Sequence, residues 1–128
     1  MNKMIEDFNK IKLIIDERDF AIVRSRKFYT NAFANISYRN EITVIIEESK
    51  IKKEDIIEIE KNWKLITFDA ILEFDLVGFI AKISTELANQ GISIFVLSSY
   101  FTDHILVKNY NLDKSIEVLN KLGMKLKI

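Results

Sequence analysis

Residues 73–107 read EFDLVGFIAKISTELANQGISIFVLSSYFTDHILV, and this stretch decides the fold. A polar turn reaches Gly78 and opens an amphipathic run, Phe79 to Gln90. Its apolar residues Phe79, Ile80, Ile83, Leu87 and Ala88 recur at helical spacing, and Gly91 supplies a left-handed stop. Ile92 to Leu97 is nearly continuous apolar sequence, the pattern of a covered strand. A polar knot follows, Ser98-Ser99-Tyr100-Phe101-Thr102-Asp103, and Ile105 to Val107 leads away from it as a second strand. The glycine turn and the knot are the two irregular polar places in an otherwise buried unit, where functional groups tend to sit.

Downstream, Asn111-Leu112-Asp113 starts a second helix that buries Ile116, Leu119 and Leu122 and ends at Gly123. Met124 to Ile128 is a short terminal strand. Upstream, Trp63 to Leu72 carries apolar residues on both parities, as a strand covered on two faces requires. Trp63 reads as a large anchor at the edge of the core rather than a stacking platform. From Lys64 onward the order is strand, helix, strand, strand, helix, strand. That is the α+β, ferredoxin-like βαββαβ pattern, an antiparallel sheet with both helices on one face.

The sequence before it is an abbreviated echo of the same pattern. Ile11 to Ile15 and Phe20 to Val23 predict a hairpin around the charged turn Asp16-Glu17-Arg18-Asp19. Arg24 to Asn40 reads as a loop with a short helix at Asn31 to Asn35, and Ile42 to Ile46 as a strand. Lys53 to Asn62 reads as a short helix whose charges form a solvated face. Residues 11–62 are therefore expected to form an abbreviated half and residues 63–128 a complete domain. About 45 residues is too little to bury a core alone, so the halves are expected to pack as one unit.

Charge excludes several functions. Nineteen Lys and Arg balance nineteen Asp and Glu, so no net field concentrates nucleic acid or anionic lipid. No long uncharged apolar run predicts a membrane span, and MNKMIEDFNK carries acids where a secretory signal needs an apolar core. Without cysteine there are no disulfides or thiolate metal sites, which fits a cytoplasmic location. RNA-recognition domains share the fold, yet Phe95 is the only aromatic on the central strands. Acylphosphatase-like enzymes need a basic phosphate loop, whereas Glu73-Phe74-Asp75-Leu76-Val77-Gly78 is acidic. His104 alone makes a poor metal site, and Asp103 and His104, adjacent on a strand, point to opposite faces. With no catalytic motif, no enzyme activity and no cofactor are expected.

Gly78 has two readings: close packing of a helix start on the sheet, or a bare backbone that lets a carboxylate reach the helix N–H groups. The knot likewise is either a plain polar turn or a loop that aims side chains at something. Lacking glycine and asparagine, it suits the second better.

At these residues the chain resembles the ACT-domain proteins of the CASTOR-like type, small tandem-ACT proteins related to the regulatory domains of aspartate kinases. The resemblance is carried by Trp63-Lys64-Leu65-Ile66, FDLVGFIAKISTELANQGISIF, SSYFTDHILV and NLDKSIEVLNKLG, with FAIVRS and EITVIIEES matching the abbreviated half. It implies that ACT units pair side by side as a homodimer or larger homo-oligomer and bind an amino acid or similar small zwitterion at the seam. It implies a site made of Leu76, Gly78 and Phe79 from the turn and Ser99, Tyr100, Thr102 and Asp103 from the knot. The function it implies is regulatory, with a regulated protein as a further partner. The alternative is an ACT-fold structural or protein-interaction module that has lost its ligand.

Overall fold

The computed structural model describes residues 3–4, 8–70 and 76–128. Its strands are β1 (Lys3–Met4), β2 (Lys12–Ser25), β3 (Ala34–Tyr38), β4 (Glu41–Glu47), β5 (Ile56–Asp69), β6 (Leu76–Val77), β7 (Ile94–Ser98), β8 (Asp103–Lys108) and β9 (Lys125–Leu126). Helix α1 (Phe79–Ala88) lies between β6 and β7, and α2 (Leu112–Lys121) between β8 and β9. The chain divides into a larger unit, residues 1–16 and 64–128, and a smaller one, residues 17–63. No helix among the described residues is long and apolar enough to cross a membrane.

In the larger unit β7 pairs antiparallel with β8, Ile94 opposite Val107 and Ser98 opposite Asp103. β8 is bonded to β5, and β5 in turn to β2. The terminal strand β9 runs parallel to the start of β2, Lys12 opposite Lys125. It is pinned there by the Lys127 N–H on the Leu13 carbonyl (2.8 Å) and by Lys127 Nζ on Asp69 Oδ2 (2.6 Å). The α+β, ferredoxin-like architecture is as expected, with a strand from the N-terminal region added beside its last member. Residues 11–16, assigned in sequence to the abbreviated half, therefore belong to the larger unit. Ile11 and Leu13 are buried there with Ile66, Phe68, Ile83, Leu87, Ile105 and Leu119.

Both helices lay one face on this core. α1 buries Phe79, Ile83 and Leu87, one residue per turn, while Ile80 is half-buried and Ala88 exposed. α2 is rotated from the expected stripe: Ser115, Val118 and Leu119 are buried, and Ile116 and Leu122 only half-buried. Ser115 tolerates burial because its hydroxyl donates to the Asn111 carbonyl one turn back (2.7 Å). Gly123 ends α2 at φ 112°, and a β-carbon there would collide with the Asn9 side chain. Gly123→Ala should therefore destabilise the chain by about 1–3 kcal/mol, measured by denaturant unfolding.

The smaller unit departs from the sequence reading in three places. The expected hairpin over residues 11–23 is one continuous strand, β2. Asp16-Glu17-Arg18-Asp19 has no turn-forming glycine or asparagine, and Arg18 is held extended by Glu47 (3.2 Å) and lies 5.2 Å over the Phe20 ring. The helix expected at Asn31 to Asn35 is a bend running into β3. That strand pairs antiparallel with β4, Tyr38 opposite Glu41, through an Arg39-Asn40 turn in which Arg39 takes φ 54°. The helix expected at Lys53 to Asn62 is a single 3-10 turn, Lys53–Asp55, followed by β5. The reason lies in Ile57-Glu58-Ile59-Glu60, which alternates with period two and is β-branched at every second residue.

No α-helix occurs in residues 17–63, whose strands are joined by turns, bends and the 3-10 turns Glu48–Lys50 and Lys53–Asp55. Ala21, Val23, Val44 and Ile46 are buried on it together with Tyr29. The Tyr29 hydroxyl makes a short hydrogen bond to the buried Asp55 carboxylate and accepts the Lys52 N–H (3.0 Å). Burial, together with the Asp55 carboxylate, raises the Tyr29 phenol above its ordinary pKa.

Candidate functional site

Gly78 sits at φ 93°, a left-handed conformation that side chains resist, and caps α1. Its carbonyl accepts the Lys82 N–H at 2.9 Å. Glycine has no side chain to satisfy the first N–H groups of the helix, which point outward with the positive end of the dipole. Just before it, Leu76 lies in β6, parallel to β1 with Lys3 as its register partner. Residues 71–75, which include the first half of the expected acidic turn, lie outside the described residues. The Phe79 side chain is 4% exposed, edge-on to Phe68 (5.1 Å between ring centres) and stacked on Phe8 (6.0 Å). Its ring belongs to the core, and only its backbone N–H is suited to a ligand.

The knot closes β7 onto β8 as a tight turn rather than an open loop. The Ser99 N–H (2.9 Å) and hydroxyl (3.0 Å) both donate to the Thr102 carbonyl, so a serine does the bonding expected of glycine or asparagine. Tyr100 and Phe101 form the tip, edge-to-face at 4.6 Å, with Tyr100 71% exposed. Asp103 is half-buried, and its Oδ1 accepts the Ser98 hydroxyl at 2.5 Å.

Asp103 and His104 do diverge, as alternation along a strand requires. The buried His104 ring bridges Thr67 Oγ1 (2.9 Å from Nδ1) and Ser99 Oγ (3.0 Å from Nε2). Because the Ser99 hydroxyl donates to Thr102, it accepts from His104 Nε2–H, which leaves Nδ1 to accept from Thr67. The proton order of the chain is thus Thr67 to His104 to Ser99 to the Thr102 carbonyl. Sequence reasoning missed Thr67, Ser98 and the partners of His104. The available signal was a lone polar residue in each of two apolar runs, LITF and HILV, since buried polar groups find partners.

Burial pushes the His104 imidazole below its ordinary 6.5, and the Asp103 charge opposes that only in part. A depressed folded pKa means that the unfolded chain takes up the proton first as pH falls. Stability should be complete above about pH 6.5 and decline as pH drops from there through the folded value. Denaturant unfolding between about pH 8 and pH 5 should show this decline, and His104→Gln should lose that part of it.

Phe79 at the start of α1 packs on Phe68 near the end of β5, and Thr67, also near that end, reaches the knot through His104. The glycine turn and the knot therefore occupy the same end of the sheet. Residues 58–121, half of the chain, match the profile of the ACT domain. The chain belongs to the ACT-domain family.

Solved structures agree with an ACT fold. A crystallised protein from Agobacterium tumefaciens superposes with a TM-score of 0.78 at 25% identity, over 91% of this chain and 92% of that one. Aspartate kinase from Clostridium acetobutylicum, described as an allosteric enzyme, gives 0.67 at 13% identity, over 93% of this chain and 36% of the kinase. The ligand-free regulatory subunit of aspartate kinase from Thermus thermophilus gives 0.66 at 8% identity, over 91% of this chain and 98% of the subunit. Among curated proteins no match was found.

Proposed function

We propose that this ACT protein is a non-catalytic regulator of the tandem, CASTOR-like type that binds a free amino acid or similar small zwitterion. The observation that carries the reading is the shared end of the sheet, where the N-terminus of α1 at Gly78, without a side-chain cap among the described residues, and the Asp103 carboxylate both lie. The N–H groups that follow Gly78 would take the ligand carboxylate, and Asp103 its ammonium group. Tyr100, exposed at the hairpin tip, would fold over the ligand side chain. A regulatory subunit of aspartate kinase shares this fold, and the proposed role is likewise regulatory, in the cytoplasm and on a protein partner.

In this reading the site is completed by a second copy. β7 ends the path of bonded strands in the larger unit, with β8 as its partner there, and Val96 on it is 38% exposed. An edge left open among the described residues invites pairing, which would bring the hairpin against its counterpart in a homodimer. Light scattering should return twice the chain mass at micromolar concentration, and a monomer there would remove the seam.

A protein-interaction module that has lost its ligand is the second reading. It is favoured by the internal bonding of the knot, in which Ser98 holds Asp103 and Ser99 holds Thr102. A thermal-shift screen of the twenty amino acids separates the two. A regulatory Kd of about 1 μM to 1 mM means that ligand at about 100 times Kd adds roughly 2.7 kcal/mol, several degrees of melting temperature. No shift with any amino acid would favour the interaction module.

A further inference from the structure

We propose that Thr67 and His104 are positioning residues that latch the β7–β8 hairpin to β5, and that the latch opens when the imidazole takes up a proton. The knot is bonded in two directions. Ser98 on Asp103 (2.5 Å) and Ser99 on Thr102 (3.0 Å) tie it to itself. The chain from Ser99 through the His104 ring to Thr67, at 3.0 and 2.9 Å, ties it to a neighbouring strand. Past that chain the tip is open to solvent, with Tyr100 71% and Phe101 54% exposed.

The place of the anchor on β5 gives it a consequence for binding. Thr67 takes the hairpin on one face of the strand, and the next residue, Phe68, takes the Phe79 ring at the start of α1 on the other. Two adjacent residues therefore set the spacing between the knot and the glycine turn. This consequence rests on the amino-acid reading of the site: where both places grip one small molecule, a spacing held in advance raises affinity.

A neutral ring fits the chain and a charged one does not. Thr67 donates to Nδ1, and Nε2–H donates to Ser99, which passes its own proton to the Thr102 carbonyl. A second ring proton lands on Nδ1 and meets the one that Thr67 already presents, and the ring becomes a buried cation between two hydroxyls. Next to it on β8, the Asp103 carboxylate offsets that charge only in part. On β5 the acid on the Thr67 side, Asp69, is engaged by Lys127 (2.6 Å), and the residue opposite on β7 is Leu97.

The test is nuclear magnetic resonance of the ligand-free whole chain. The His104 ring should carry its proton on Nε2, and as pH falls below about 6.5 the amides of Ser99 to Asp103 should shift together with the ring. His104→Gln should abolish that response. Thr67→Val keeps the side-chain shape and drops the hydroxyl, so it should move the same amides at about pH 8, where the ring is neutral. Thr67→Ser should restore them, and Val118→Ala, a loss from the core on α2, should leave them in place. With the twenty amino acids titrated singly, the one that binds the native chain should bind Thr67→Val about 3- to 10-fold more weakly and Thr67→Ser equally well. The latch is overturned if the ring proton lies on Nδ1, if the knot amides ignore Thr67→Val, or if Thr67→Ser fails to restore them. It is equally overturned if Val118→Ala moves them as far or if they titrate unchanged in His104→Gln. Undiminished binding by Thr67→Val removes the positioning role. If no amino acid binds the native chain, the amino-acid reading fails, and the ligand-free amides still decide the latch.

Discussion

Phe79→Ala should destabilise the protein by about 3–5 kcal/mol, enough to lower the melting temperature by roughly 10–20 °C. Phe79 is the first residue of α1 and 4% exposed, and its ring meets Phe68 edge-on and Phe8 face-on. Removing it loses the transfer energy of a buried aromatic, leaves a cavity between helix and sheet, and deletes two ring contacts. Phe79→Leu keeps most of the apolar volume and should cost clearly less. Denaturant unfolding of the three chains checks the order. A cost below about 1 kcal/mol for the alanine variant would mean that the ring is not where the core is closed.

Asp103→Asn should weaken amino-acid binding by about 2–5 kcal/mol, roughly 30-fold or more, while leaving the empty protein as stable as before. The two halves of this expectation have different origins. In the free chain Asp103 Oδ1 accepts the Ser98 hydroxyl, and an asparagine carbonyl in its place accepts the same proton. In the proposed complex the carboxylate would face an ammonium group at the end of the sheet, and neutralising it would leave that cation partly desolvated without a partner. Calorimetric titration with the amino acid that raises the melting temperature most gives the affinity, and melting of the ligand-free variant gives the control. Undiminished binding by an unstable variant would make Asp103 part of the hairpin scaffold alone.

What was legible in the sequence was legible for local reasons. α1 and α2 announce themselves through helical spacing between glycine stops, and Gly78, Gly91 and Gly123 all take positive φ. β7 and β8 follow from the nearly continuous apolar runs on either side of the knot. The smaller unit misled because its cues compete. Four consecutive charges look like a turn, yet Glu47 lies within reach of Arg18 and keeps the strand extended. Isoleucines among charges look like one helical face, yet alternation from Ile57 to Glu60 satisfies a strand equally well, and β5 takes it. Pairing of β9 with β2 joins residues more than a hundred positions apart, beyond the reach of any local pattern.

The candidate site was legible only as two places in the chain, the glycine turn and the knot, which the fold sets at one end of the sheet. Phe79 was named in the turn as a whole, and that its ring lies in the core could not be read there, since position after a glycine turn does not say which way a side chain faces. Ser99 was named for a ligand, yet it is bonded to Thr102 and His104 in the hairpin itself. Thr67 stayed hidden because its role exists only once β5 and β8 lie side by side.

The most direct measurement is a backbone amide map of the whole chain titrated with each of the twenty amino acids in turn. One of them should move the amides of Gly78, Phe79 and Ile80 together with those of Ser99 to Asp103, saturably and with a single Kd. If no amide at either place moves with any amino acid, or if saturable shifts appear only elsewhere in the chain, the glycine turn and the hairpin do not form an amino-acid site.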